Sequence, residues 1–126
     1  MSTLNVLGRL TFPNSPLGAN TQVMIGTPTV PYSSTTGYSM SYGETVTFEY
    51  LISALGVKTV NFGSLSSAKF MYIGTDQPIT YKVNSGSEVF SLAAGGFRLD
   101  VMASVTALEI TAGTTDAHVF VMLMGD

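Results

Sequence analysis

The chain has 126 residues and no cysteine; 45% of its residues are hydrophobic, only 10% are charged, and the net charge is −3. An ordinary soluble domain carries roughly 25% charged residues, so this length suits one domain with a real core but a surface poor in hydrated groups. Disulfides, thiolate metal sites and cysteine nucleophiles are excluded, and the scattered basic residues Arg9, Lys58, Lys69, Lys82 and Arg98 argue against nucleic acid, whose backbone needs several cations on one face.

In chain order, LNVLGRLTF at 4–12 predicts an apolar strand with Gly8 as a candidate bulge. Residues 1–20, with the turn residues Pro13, Asn14, Ser15 and Pro16, are expected to form an extended N-terminal arm. TQVMI at 21–25 predicts a short strand between turn residues. Residues 26–43, GTPTVPYSSTTGYSMSYG, are uncharged and long for a loop within a compact domain. They are expected to form a Ser/Thr/Tyr-rich contact loop with Tyr32, Tyr38 and Tyr42 as the amphipathic anchors that interfaces favour; a plain surface loop is the alternative.

ETVTFEYLI at 44–52 alternates, with Val46, Phe48, Tyr50 and Ile52 on one face and Thr45, Thr47 and Glu49 on the other. Strands are predicted over 58–62 and 68–75. A hairpin follows, in which Pro78 starts a strand that turns Ile79, Tyr81 and Val83 one way. Asn84, Ser85, Gly86 and Ser87 form the turn, with Gly86 as the residue suited to positive φ, and 89–92 runs back. AAGG at 93–96 reads as a corner between sheets. Strands over 97–102, 105–111 and 117–124 complete the chain. The last is apolar on both faces, Val119, Val121 and Leu123 against Phe120, Met122 and Met124. It must be covered on both sides or meet another subunit.

About nine or ten strands at short spacing predict an all-β antiparallel sandwich, jelly-roll-like, in a single domain over 1–126. No apolar run approaches the ~20 residues of a membrane-spanning helix. The opening residues lack a basic region before an apolar core, so neither a membrane partner nor a secretion signal is expected. The low charge implies that much of the folded surface faces other protein. A monomer with a Ser/Thr-rich surface is the plainer alternative.

Little points to chemistry. His118, the one histidine, follows Asp116 by two residues, but no G-x-S-x-G elbow accompanies it, and a structural or interface histidine is expected. The carboxylates are spread along separate strands, with no tryptophan platform for sugar. Thr75-Asp76 and Thr115-Asp116 are too sparse for a calcium site, and AAGGF precedes no helix that would make it a phosphate loop. No catalytic residue, metal or cofactor is expected.

Four stretches carry a family resemblance: DQPITYKVN at 76–84, LAAGGF at 92–97, SVTALEI at 104–110 and VFVMLM at 119–124. Together they resemble small all-β virion proteins of tailed bacteriophages. The resemblance covers roughly the second half of the chain and implies a structural role in a particle. The expected reading is a capsid decoration, or cement, protein on the virion surface, assembled in the host cytoplasm. It would bind the major capsid protein as a homo-oligomer, a trimer or dimer, and stabilise the head. Contacts are expected from Leu4, Val6, Leu10 and Phe12 and from Tyr32, Tyr38 and Tyr42. The alternatives are a tail, fibre or adaptor component, or a carbohydrate-binding jelly roll that stacks sugar on those tyrosines.

Overall fold

The β-branched and aromatic residues that alternate along this chain lie mostly in strands, and no helix occurs among the described residues. The computed structural model describes residues 2–6, 8–12, 21–25, 27–28, 35–36 and 38–126, with side-chain positions over 42–101 and 104–126. Where one domain was expected, contacts divide the chain into two units, Met1–Ser41 and Tyr42–Asp126.

In the first unit the backbone forms β1 (Ser2–Val6), β2 (Gly8–Phe12), β3 (Thr21–Ile25), β4 (Thr27–Pro28), β5 (Thr35–Thr36) and β6 (Tyr38–Tyr42), which ends at the unit boundary. β2 and β3 are antiparallel, from Gly8 opposite Ile25 to Phe12 opposite Thr21. β4 pairs with β5, and β1 with β6. The segments expected as arm and loop therefore contain paired strands. Ser39 and Ser41 alternate with Tyr38, Met40 and Tyr42, a period-2 pattern that suits a strand and that the high Ser/Thr content disguises. Gly8 begins β2 rather than forming a bulge.

The second unit holds β7 (Glu44–Ile52), β8 (Val57–Thr59), β9 (Ala68–Thr75), β10 (Ile79–Val83), β11 (Phe90–Leu92), β12 (Phe97–Val105), β13 (Leu108–Ala112) and β14 (Ala117–Gly125). They form two antiparallel sheets, β12-β9-β14-β7 and β11-β10-β13-β8. The pairing is nested. The first of the eight strands pairs with the last, β8 with β13, β9 with β12, and β10 with β11. The corner at 93–96 carries the chain from one sheet to the other, as its glycines predict. Gly95 has φ 74°, and a Cβ on Gly96 would lie 2.8 Å from the Ala93 carbonyl.

Both sheets contribute to one core. Met71, Ile73, Val119, Val121 and Leu123 from the β14 sheet meet Ile79, Tyr81, Leu108 and Ile110 from the other, all at most 2% exposed. Burying these side chains supplies most of the driving force, at about 1.5–3 kcal/mol for each large aliphatic. At each of two edges of the core a cation lies over an aromatic ring. Lys58 Nζ lies 4.9 Å from the Tyr50 ring centre on one side. On the other, the Arg98 guanidinium lies 4.7 Å from the Phe90 ring centre. Arg98 also donates to the Tyr81 hydroxyl at 3.0 Å and to Asp100 at 2.9 Å. Burial opposes the charge on Arg98, but these two partners outweigh it and raise its pKa.

The turn after β10 differs from expectation. Positive φ falls on Asn84 and Ser85, both at 55°, and not on Gly86. Asn tolerates that region because its short side chain bonds locally. Here Asn84 Oδ1 accepts from the Thr106 and Ala107 amides, and its Nδ2 donates to the Ser104 carbonyl, which ties this turn to the one between β12 and β13.

Candidate functional site: the outer face of the β14 sheet

The alternation that fills the core leaves a second set of side chains on the opposite face of the β14 sheet. Register places Phe97, Leu99 and Val101 of β12 beside Gly74, Tyr72 and Phe70 of β9. These lie beside Phe120, Met122 and Met124 of β14, and Leu51 and Glu49 of β7 face His118 and Phe120. Most of this face is apolar. Phe97 and Leu51 are each 63% exposed and Leu99 38%. Tyr72, Phe120, Met122 and Met124 are half-buried.

Strand β12 shows how unusual the face is. Its charged residues, Arg98 and Asp100, turn inward to the edge of the core, and its apolar residues, Phe97 and Leu99, turn outward. Inward charge on an edge strand discourages further strand pairing, but it leaves the outward side of β12 without charged groups.

One end of the face deepens into a groove of about 830 Å³, whose lining includes Glu49, Leu51, Tyr72, Asp76, Phe97, His118 and Phe120. The Tyr72 ring stacks on Phe97 with centroids 5.9 Å apart and meets Phe120 edge-on at 6.0 Å and 63°. Gly74 makes this possible, because a Cβ there would lie 3.0 Å from the Tyr72 hydroxyl.

The polar end is a closed exchange between two strand ends. Asp76 accepts the His118 backbone N–H at 2.8 Å, pairs with His118 Nδ1 at 3.1 Å, and donates its own N–H to the His118 carbonyl at 3.2 Å. The His118 amide, aided by the imidazole and opposed by desolvation, holds the Asp76 carboxyl below its usual pKa. The neighbour of His118 in sequence, Asp116, instead accepts the Ala54 amide at 2.9 Å. The Thr75 hydroxyl donates to the Gln77 carbonyl at 2.6 Å, and among the described residues no hydroxyl is hydrogen-bonded to the His118 ring. What the arrangement offers is a binding surface: aromatic walls with two carboxylates at the rim.

Of the residues expected to make contacts, Leu4 and Val6 lie on β1, Leu10 and Phe12 on β2, and Tyr38 and Tyr42 on β6. The pairing of β1 with β6 brings the first and last of these segments together in backbone. Tyr42 is half-buried, and Tyr32 lies outside the described residues. The groove residues escaped sequence reading, although the last strand's apolarity on both faces was a signal for them. No family model, curated protein or solved structure matches the chain.

Proposed function

We propose that this chain is a virion structural protein of the tailed-bacteriophage kind, a capsid decoration protein. Its second unit lies against the major capsid protein shell or a neighbouring copy of itself, in a dimer or trimer, and strengthens the head. The observation that carries this reading is the inverted strand β12, which sends Arg98 and Asp100 inward and leaves Phe97 and Leu99 in solvent. An apolar face of this kind marks a protein contact rather than a hydrated exterior.

Two further features support it. The nested pairing of eight strands in two antiparallel sheets supports the reading of this unit as a jelly-roll-like sandwich, an architecture used in viral capsid domains. The four stretches that resemble phage virion proteins all fall within this unit. A decoration protein works by contact, so the role asks for a rigid body and a docking face and not for turnover.

The test is co-sedimentation of purified full-length protein with mature heads of the encoding phage, alongside sedimentation velocity of the protein alone. Binding to heads, weakened by Phe97→Asp, is the expected result. A strict monomer that leaves mature heads bare overturns the proposal.

A further inference from the structure

We propose that the groove at the end of the β14 sheet binds an extended segment of another protein chain in which an arginine or lysine lies between apolar side chains. The inference concerns the recognition chemistry of this groove and stands whether or not the partner is a capsid shell.

The charge of the groove favours a cation. Glu49 and Asp76 line the groove, and no lysine or arginine does so among the described residues. Asp76 is engaged by His118. Glu49 is exposed and forms no ion pair or side-chain hydrogen bond among the described residues. A ligand that brings a cation meets the Glu49 carboxylate without displacing an internal partner, while Asp76, held by His118, adds negative charge to the same rim.

The aromatic wall favours a cation as well. Tyr72 and Phe120 meet at 63° and so form an angled corner, and Phe97, stacked on Tyr72, is itself 63% exposed. A guanidinium or ammonium group over such rings is attracted by their electron-rich faces.

The molecule itself supplies the precedent. At the edge of its core Arg98 lies over Phe90 and bonds Asp100, and across the core Lys58 lies over Tyr50. The groove repeats the ring-and-carboxylate set of the Arg98 site, with the cation left to a partner.

Shape selects a chain over a small ion. The groove opens onto the apolar surface of Leu99 and Met122, cross-strand neighbours of Tyr72, where residues flanking the cation would lie. A neutral sugar would stack on the rings and donate hydroxyls to the rim carboxylates, but it would bring no positive charge to balance them.

The test is an NMR titration of full-length protein with acetyl-Leu-Arg-Leu-amide, with its Leu-Gln-Leu counterpart, and with chitotriose as the saccharide probe. The arginine peptide is expected to shift the amides of 72–76, 95–97 and 118–120 with a Kd on the order of millimolar. Glu49→Gln should weaken it about two- to fivefold, as for an exposed pair. Added salt should weaken it further, while the glutamine peptide binds less tightly. Phe97→Ala, checked by its amide spectrum for an intact fold, should also lose affinity. Equal binding of the two peptides, indifference to Glu49→Gln, shifts from the saccharide alone, or no shift from the arginine peptide each overturn the proposal.

Discussion

Replacing Phe97 with Ser separates a contact role from a folding role. Phe97 is 63% exposed, so roughly 70 Å² of a phenylalanine's ~200 Å² is covered. At about 25 cal/mol/Å² this is worth about 1.8 kcal/mol, and compaction of the unfolded chain lowers it to about 1–1.5 kcal/mol. Ile110, fully buried in the core, is the control: Ile110→Ala should cost about 2–5 kcal/mol. In equilibrium urea unfolding, with a slope of about 1–3 kcal/mol/M, Phe97→Ser should move the midpoint by about 0.3–1.5 M and Ile110→Ala by about 0.7–5 M, the larger shift at any one slope. Phe97→Ser should also abolish self-association or particle binding. If Phe97→Ser destabilises as much as Ile110→Ala and leaves association intact, the outer ring serves the fold and the reasoning fails.

Other outcomes follow from single contacts. A Cβ on Gly125 would lie 2.0 Å from the Ser67 carbonyl and 2.9 Å from the Ala68 Cα, so Gly125→Ala should cost about 2–3 kcal/mol or more by thermal unfolding, and a neutral effect would contradict this register. Leu55 holds φ 61° while 72% exposed, so Leu55→Gly should relieve left-handed strain and stabilise by about 0.5–1 kcal/mol; a lower melting temperature would mean that Leu55 packs on something. Asp76 has a depressed pKa. Its contribution is therefore fully present above the ordinary carboxylate value of about 3.9 and is lost as pH falls through the lower folded value. The stability gap between wild type and Asp76→Asn should be open at neutral pH and close in acid, and a gap independent of pH would remove the His118–Asp76 interaction as its cause.

Strand alternation made much of the second unit legible. β7, β9 and β10 occupy the expected residues, and the corner at 93–96 joins two sheets. Three features were hidden for physical reasons. In FRLDV the alternation is plain, but the usual assignment of charge to solvent gives the wrong face, because only the folded neighbours Tyr81 and Phe90 reveal what Arg98 satisfies. The pairing of His118 with Asp76 rather than Asp116 depends on the register between the ends of β9 and β14, which no local spacing encodes. The groove is spatial in the same way: Tyr72, Phe97 and Phe120 come from three strands that meet only when the sheet assembles.

The account rests on the outer face of the β14 sheet being covered by protein in the working state. Oxidative footprinting of Met122 and Met124, which sit half-buried on that face, tests this directly, with the fully buried Met71 as the internal reference. The account predicts that both methionines oxidise several-fold more slowly in the assembled particle than in dilute protein, relative to Met71. Equal rates in the two states would contradict it.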